Sequence, residues 1–282
     1  MSDLRAPDAL PAANSSTAFI GGGNMASAIL GGLIRSGTPA AQLIVLDPNA
    51  QQRERLAGEF GVRTLAAADA TLAEAATVVW AVKPQSFAEA AAPCAPFVGA
   101  ALHLSVMAGI RSDAIARATG SDRVVRSMPN TPALIGQGIT GLYARPAVSA
   151  AERDRIAALL AATGATLWVE QEVDLDAVTA LSGSGPAYVF YFIEAMMAAA
   201  ERMGLSAEQG RQLALGTFGG ATELARRSAD SPAVLRERVT SKGGTTYAAL
   251  TALNDAGVQQ AFISAMQAAQ QRARELGDEF GA

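Results

Sequence analysis

The distribution of apolar and polar residues changes near residue 173. Before it, short apolar runs at 17–20, 43–46 and 77–82 alternate with alanine-rich stretches of helical character. Apolar runs without polar alternation are typical of parallel strands that helices cover on both faces. This part of the chain is therefore predicted to form a doubly wound α/β domain. Further strands are predicted at 62–63, 102–107, 123–127, 138–143 and 166–169, and helices at 24–36, 50–60 and from 149.

Beyond residue 174 the pattern is helical almost throughout, with glycine, serine and proline separating the helices. We expect a disordered tail over residues 1–16, a dinucleotide-binding Rossmann-like domain over 17–173 and an all-α C-terminal domain over 174–282. The predicted helices of the last part are 186–203, 207–229, 232–238, 245–255 and 258–276.

One of these helices, over 187–203, is apolar on almost every side. Such a helix is buried either in a core or in a contact between subunits. The helical part of the chain is too short to enclose it fully, so we expect the C-terminal domain to be a dimerisation domain that pairs with a second copy.

Composition limits the possible classes of function. The formal net charge of −4 and the pI near 5.2 argue against a nucleic-acid partner, which requires a basic face. No apolar stretch is long enough to span a membrane, and the first 16 residues lack the apolar segment of a signal peptide. The single cysteine, Cys94, is interpreted as a packed apolar residue and suits a cytoplasmic protein. No metal site is predicted.

A glycine turn follows the first predicted strand. Gly21, Gly23 and Ala26 fit the dinucleotide fingerprint G-x-G-x-x-A. Gly21 would permit the tight turn, Gly23 the approach of the pyrophosphate, and Ala26 the close packing of helix on sheet. A flexible turn without a ligand is the alternative. The strand before the turn and the helix after it favour dinucleotide binding.

The end of the second predicted strand bears on the choice of cofactor. Asp47 lies there, and a carboxylate at this point usually binds the adenosine ribose and repels a 2′-phosphate. Arg53 and Arg55 follow and could bind such a phosphate, or only solvate their helix. These residues favour NADH without excluding NADPH.

Five segments together resemble the pyrroline-5-carboxylate reductases, the enzymes that make proline. The glycine turn is shared by many dehydrogenases, whereas the serine–glycine and GGTT segments are more specific. They follow the family's order and extend over nearly the whole chain apart from the tail. The segments are FIGGGNMA (19–26), AVKPQ (81–85), MPNTPALIGQG (128–138), DAVTALSGSGPAYVF (176–190) and SKGGTT (241–246).

The resemblance implies hydride transfer from NADH or NADPH to the C=N bond of a cyclic imino acid, 1-pyrroline-5-carboxylate, giving L-proline. It also implies a homodimer of interlocked helical domains, and in the family such dimers often assemble into larger rings such as a decamer. The implied substrate-binding residues are Glu172, Ser241, Gly243, Gly244, Thr245 and Thr246, with Thr246 as the catalytic residue beside the ring nitrogen. The cofactor-binding residues, to which our own reading adds Asp47, are Ile20, Gly21, Gly22, Gly23, Asn24, Met25, Ala81, Val82, Lys83, Pro84, Val106, Met107 and Ala108.

These implied roles agree with the chemistry of the residues. The SKGGTT segment precedes a predicted helix, so its N–H groups suit a carboxylate. An iminium already carries the required proton, so Thr246 would act by positioning and no histidine is needed. The only histidine, His103, falls near the start of a predicted buried strand and is interpreted as structural. The loop 182–186 is expected to cap the helix that follows, with Pro186 in its first turn.

Three positions depart from the family's usual pattern. Lys242 replaces the proline of SPGGTT, and we hypothesise that it contacts the substrate carboxylate, although a helix dipole disfavours a cation there. Met107 replaces a small residue. Asp47 stands where many members have a residue compatible with NADPH.

Two other functions remain open. A dehydrogenase of the β-hydroxyacid type would use a lysine within a helix of the C-terminal domain, where Lys242 is the only lysine and lies on a predicted loop. A non-catalytic NAD-binding regulator would keep the glycine turn but would not need the GGTT segment.

Overall fold

The computed structural model describes residues 16–280. The predicted tail therefore lies outside the described residues, apart from Ser16. Within the described part, the chain divides into a sheet unit (16–183 with 272–280) and a helical unit (184–271). The prediction of a Rossmann-like α/β fold followed by a helical region is confirmed. The domain boundary near residue 173 stays a prediction.

The sheet unit is built on one eight-stranded sheet. Its strands are β1 (Thr17–Ile20), β2 (Leu43–Leu46), β3 (Arg63–Leu65), β4 (Thr77–Trp80), β5 (Leu102–Ser105), β6 (Val124–Met128), β7 (Gly138–Ala144) and β8 (Gly164–Trp168). Their order is β3-β2-β1-β4-β5-β6-β7-β8. β6 and β7 form the one antiparallel pair of this sheet, so β7 and β8 run opposite to the other six strands. The connections leave β1 in opposite directions, so its carboxyl end is the topological switch point where such sheets bind ligands.

Apolar side chains cover both faces of this sheet. Phe19 packs in one cluster with Leu30 and Ile156, while its neighbour Ile20 packs in another with Trp80. Successive side chains of a strand point to opposite faces, so a central strand must be apolar at every position. All four residues of β1 are accordingly buried.

Helices supply these two covering layers. Asn49 caps the second helix through Gln52, and Ser149 forms a capping box with Glu152 at the fifth. The third and fourth helices were not predicted individually, and prolines inside the third usually interrupt a helix. The helices are α1 (Asn24–Arg35), α2 (Ala50–Phe60), α3 (Phe87–Val98), α4 (Ser112–Thr119), α5 (Ala150–Leu160) and α6 (Asp174–Val178).

The segment predicted as a capping loop, 182–186, is helical apart from a bend at Ser184. After α6 the chain forms a π-helical turn, Thr179–Gly183, that leads into the next helix. Ser182 Oγ donates to the carbonyl oxygen of Val178 at 3.0 Å, so this hydroxyl bonds to the preceding turn and does not cap the helix that follows. Pro186 does lie in the first turn of that helix, as predicted.

The helical unit follows. Tyr188 and Phe192 pack edge-on against Phe262, with ring centroids 5.8 and 5.5 Å apart, but Tyr191 is 68% exposed. In the first helix of this unit, which contains both tyrosines and Phe192, Ala200 is the one residue that is buried within the described chain. The alternative that this helix lies in the chain's own core is therefore wrong. A contact with another subunit is the remaining prediction. The helices are α7 (Gly185–Arg202), α8 (Ala207–Arg227), α9 (Pro232–Arg238), α10 (Thr245–Asp255) and α11 (Val258–Phe280). Residues 272–280 of α11 belong to the sheet unit.

Residues 16–280 contain neither a membrane-spanning helix nor a cluster of metal ligands. None of the helices there is both long enough and apolar enough to cross a bilayer. Nor do those residues contain a group of three or more histidine, cysteine or acidic side chains that could hold a metal ion.

Candidate functional site

The glycine turn joins β1 to α1 at the switch point of the sheet. Gly21 has φ +95°, and a Cβ there would lie 2.7 Å from the carbonyl oxygen of Ala81. A Cβ at Gly22 would lie 2.5 Å from Leu56 Cδ1. The packing of the chain therefore requires glycine at position 21, whereas a side chain at position 22 would have to displace the end of the Leu56 side chain.

Gly23 is different, because nothing in the described chain requires it to be glycine. Its φ is −65°, and a Cβ there would meet no atom within 4 Å. It precedes α1, which has no side-chain cap and no acidic residue in its first turn. Open space in front of free N–H groups fits the pyrophosphate of a dinucleotide. The residues present therefore fit the predicted cofactor.

The other predicted cofactor segments lie beside this turn, because β1, β4 and β5 are consecutive neighbours in the sheet. The N–H of Ala81 donates to the carbonyl oxygen of Ile20 at 2.8 Å, and that of Val106 donates to Trp80 at 3.1 Å. Lys83 is exposed. The residues that the structure places along this edge are Ile20, Gly21, Gly22, Gly23, Asn24, Met25, Ala81, Val82, Lys83, Pro84, Val106, Met107 and Ala108.

One of these residues faces inward. Met107 is 3% exposed and packs in the cluster that contains Trp80 and Val98. Its N–H donates to Ser105 Oγ at 3.2 Å. This departure from the family's pattern therefore places a large side chain in the core.

Asp47 lies at the end of β2 and against the glycine turn. Its Oδ2 accepts a hydrogen bond from the N–H of Gly22 at 2.8 Å, and its Oδ1 accepts one from Asn49 at 2.9 Å. The carboxylate is thus held in one orientation beside the turn.

Protein acceptors engage the two arginines that could bind a 2′-phosphate. Arg53 donates to the carbonyl oxygen of Asp47 at 2.8 Å. Arg55 donates to Ser27 Oγ at 2.7 Å and pairs with Glu59 at 2.8 Å. A phosphate at this point would have to displace these contacts.

The SKGGTT segment lies in the helical unit, where it forms the start of α10. Gly244 is the N-cap, and α10 has neither a side-chain cap nor an acidic residue in its first turn. The N–H of Gly244 donates to the carbonyl oxygen of Ser241 at 3.0 Å. Gly243 has φ +75°, a left-handed conformation that favours glycine, whereas a Cβ at Gly244 would lie 2.6 Å from Ser241 Oγ, the end of a side chain that can rotate. Thr246 is half-buried, whereas Lys242 is exposed.

Glu172 lies in the sheet unit, where three donors surround its carboxylate. The N–H of Ser112 donates to Oε1 at 2.7 Å and the hydroxyl donates to Oε2 at 2.6 Å. Arg126 pairs with Oε1 at 2.7 Å. Burial opposes ionisation of Glu172, but the bonds from Ser112 and Arg126 outweigh it and lower the carboxyl pKa below its ordinary value. Whether Glu172 contacts substrate stays a prediction.

The sequence reasoning missed Ser112 and Arg126. A signal existed for Arg126, since it interrupts a predicted buried strand, and a buried guanidinium needs a partner. The identity of that partner could not be inferred, because Glu172 is far away in sequence.

Two reactive side chains are sealed in the core of the sheet unit. His103 Nδ1 accepts a hydrogen bond from Trp80 Nε1 at 3.1 Å, and burial lowers the pKa of His103 from 6.5 to about 4. Burial raises the pKa of Cys94 to about 11. Both residues are completely buried, which agrees with the structural roles predicted for them.

Comparison with known proteins identifies the family. Residues 172–276 match the model described as pyrroline-5-carboxylate reductase dimerisation, and residues 16–109 match that described as NADP oxidoreductase, coenzyme F420-dependent. A pyrroline-5-carboxylate reductase of Pseudomonas aeruginosa is 45% identical over 94% of this chain and 97% of its own length.

Solved structures agree over the whole fold. The pyrroline-5-carboxylate reductase of Coxiella burnetii has a TM-score of 0.87 and 34% identity, covering 94% of this chain and 99% of its own. The pyrroline carboxylate reductase of Plasmodium falciparum, with NADP bound, has a TM-score of 0.83 and 26% identity, covering 94% and 98%. The chain belongs to the pyrroline-5-carboxylate reductase family.

Proposed function

We propose that this chain reduces 1-pyrroline-5-carboxylate to L-proline with NADH or NADPH, the last step of proline biosynthesis. It is thus a nicotinamide-dependent oxidoreductase that acts on a C=N bond. The observation that carries the proposal is the open glycine turn at the switch point, in a chain that belongs to this family. The uncapped GGTT helix start supports an anionic substrate.

The sheet unit binds and orients the cofactor. The N–H groups of the glycine turn and of the first turn of α1 hold the pyrophosphate. The segments 81–84 and 106–108 line the nicotinamide, since they follow β4 and β5 along the same edge. When bound, the nicotinamide supplies the hydride.

The 241–246 segment binds the substrate. Its N–H groups and the N-terminal end of α10 hold the substrate carboxylate. The hydroxyl of Thr246 hydrogen-bonds the ring nitrogen and fixes the orientation of the carbon that receives the hydride, which is catalysis by positioning. The iminium carries its own proton, so no titrating side chain is required. The burial of His103 supports this mechanism.

We also infer that the chain prefers NADH. The support is the fixed carboxylate of Asp47, which would repel a 2′-phosphate, and the engagement of Arg53 and Arg55 by protein acceptors. Asp47→Asn is the sharpest test, because the amide oxygen can still accept from Gly22 while the charge is lost. We expect wild-type kcat/KM to favour NADH and the variant to shift toward NADPH. A wild-type preference for NADPH would refute the inference.

For assembly and location, we infer a cytoplasmic homodimer that further associates into a ring such as a decamer. The exposed apolar side chains of α7 and the match to a dimerisation model support self-association. The buried thiol Cys94 suits a reducing compartment. Analytical ultracentrifugation separates dimer from decamer, and cell fractionation tests the location.

One assay separates the candidate activities. Oxidation of NADH and NADPH is followed first with pyrroline-5-carboxylate and then with small 2-oxo and 3-oxo acids. We expect turnover of the imine. Activity with the oxo acids alone would support a β-hydroxyacid dehydrogenase, and nucleotide binding without any turnover would support a regulator.

A further inference from the structure

The loop between β5 and α4, residues 106–111, is held at both ends and along its length. At its start the N–H of Val106 donates to the carbonyl oxygen of Trp80 at 3.1 Å, which continues the hydrogen bonding between β5 and β4. Ile110 anchors its middle, being 1% exposed. At its end the loop passes into Ser112, the first residue of α4. It lies along the edge where the proposed cofactor site is located.

The end of the loop has no cap of its own. Arg111 precedes α4 and provides no side-chain hydrogen bond to it. Glu172 supplies this cap from a distant part of the chain, because its carboxylate accepts both the N–H and the hydroxyl of Ser112. A carboxylate at a helix N-terminus is also favoured by the helix dipole. Arg126, itself 9% exposed in its side chain, fixes the carboxylate from the sheet.

A second contact holds the same loop from its other side. Arg111 donates to Asp278 Oδ1 at 2.6 Å, near the end of α11. A Cβ at Gly109 would lie 3.2 Å from the carbonyl oxygen of Leu276. Asp278 therefore holds Arg111, the last residue of the loop, and Glu172 holds Ser112, the residue that follows it.

We propose that Glu172 is a positioning residue for the cofactor, which holds the 106–111 loop in place through Ser112 and does not contact the substrate. The inference rests on the proposed function in one respect, namely that the nicotinamide binds against the 106–111 loop. A carboxylate whose two oxygens already accept from Ser112 and Arg126 has less capacity left for a ligand. Loss of Glu172 would release the loop and weaken cofactor binding before substrate binding.

Glu152 provides a matched control. It too accepts the N–H and hydroxyl of a serine at a helix start, Ser149, and pairs with an arginine, Arg123. Arg123 precedes β6, however, and so lies at the opposite edge of the sheet. Removing the charge of Glu172 or of Glu152 therefore disturbs a similar cap and a similar ion pair. Only Glu172, through Ser112, adjoins the 106–111 loop.

The experiment compares Glu172→Ala, Glu172→Gln and Glu152→Gln with the wild type. Calorimetric titration gives the Kd of NADH and of NADPH without substrate, steady-state kinetics gives the KM of the imine, and thermal unfolding gives Tm. We expect Glu172→Ala to raise the Kd of the tighter nucleotide by about tenfold, with the imine KM nearly unchanged. Glu172→Gln should restore much of this affinity, since its amide oxygen still accepts from Ser112. Glu152→Gln should lower Tm without changing Kd.

Other results would overturn the proposal. A fall in Tm alone in the Glu172 variants would make the residue merely structural. A raised imine KM with unchanged nucleotide Kd would make it a substrate contact. If Glu172→Ala fails to fold, a nucleotide Kd for Glu172→Gln that stays about threefold above that of Glu152→Gln supports the proposal, and equal Kd values overturn it. Failure of the wild type to reduce the imine would refute the proposed function but leave the nucleotide titrations decisive, whereas failure to bind either nucleotide would overturn both.

Discussion

The sheet unit and the helical unit differ in where their apolar side chains go. β1 is buried along its whole length, whereas α7, an equally apolar segment, buries only Ala200 within the described chain. Their glycine turns also differ: a Cβ at Gly21 would strike the backbone of Ala81, which is distant in sequence, whereas one at Gly243 would meet no atom within 4 Å and the nearest atom to one at Gly244 is the hydroxyl of Ser241 in the same turn. The sheet unit is therefore specified by packing within one chain. The helical unit instead leaves apolar side chains exposed, which favours its proposed contact with a second copy.

Substitution in the glycine turn 21–23 tests whether packing within the chain specifies the sheet unit, and it has the largest expected effect. Gly21→Ala combines a Cβ 2.7 Å from a carbonyl oxygen with φ +95°, so we expect a loss of about 3 kcal/mol in unfolding free energy and no measurable nucleotide binding. Gly23→Ala is the matched control, because its Cβ meets nothing. Its stability should equal that of the wild type while nucleotide affinity falls about tenfold. Urea unfolding measures the stability of the two variants, and calorimetric titration measures their nucleotide affinity. If Gly21→Ala were as stable as the wild type, the packing argument would be contradicted.

Acid should destabilise the sheet unit through His103. This residue titrates at 6.5 when unfolded but at about 4 in the core, so protonation favours the unfolded state. Its contribution is present above pH 6.5 and is lost as the pH falls toward 4, by about 3 kcal/mol in total. Because the chain has one histidine, this loss belongs to the sheet unit.

Urea unfolding at pH 7 and at pH 4.5 measures this loss. Both tryptophans, Trp80 and Trp168, lie in the sheet unit, so their fluorescence follows it selectively. His103→Gln should flatten the dependence on pH. An identical slope in wild type and variant would exclude His103 as the cause.

Thr246→Val tests the chemistry assigned to the helical unit. The variant keeps the shape of the side chain and loses the hydroxyl, so kcat/KM for the imine should fall about 100-fold. The Kd of the nucleotide should not change, because that site belongs to the sheet unit. Thr251→Val on the same helix, whose hydroxyl bonds only to Tyr247 at 2.9 Å, is the control. Equal effects of the two substitutions would remove Thr246 from its proposed role.

Tyr191→Asp tests whether the exposed face of α7 is a contact with a second copy. Tyr191 is 68% exposed in the single chain, and a charge buried at such a contact is costly. We expect self-association to weaken by about tenfold or more, as measured by sedimentation over a dilution series. Tyr191→Phe keeps the ring and should associate normally. Unchanged association of Tyr191→Asp would place the contact elsewhere.

Local signals predicted most of the fold. The bounds of β1, β2, α9 and α10 match the predicted ones, because apolar runs and glycine or proline punctuation mark them directly. The π-helical turn at Thr179–Gly183 was missed, because serine and glycine usually indicate a loop. Less of the candidate site could be predicted, because its residues are far apart in sequence. Ser112, Arg126 and Glu172 are brought together by the tertiary fold from positions 46 and 60 residues apart, and no spacing within the chain indicates their contact.

Substitution of Lys242 has the smallest expected effect, and it concerns the helical unit. This side chain is exposed on the turn before α10, where the dipole disfavours a cation unless an anion is bound. We expect Lys242→Met to raise the KM of the imine by about twofold to fivefold, as for one exposed ionic contact, with kcat nearly unchanged. The chain's other lysine provides the contrast, since Lys83→Met should affect the KM of the nucleotide and not that of the imine. If Lys242→Met leaves the imine KM unaltered, the lysine points to solvent in the complex as well, and the N–H groups of the GGTT turn bind the carboxylate alone.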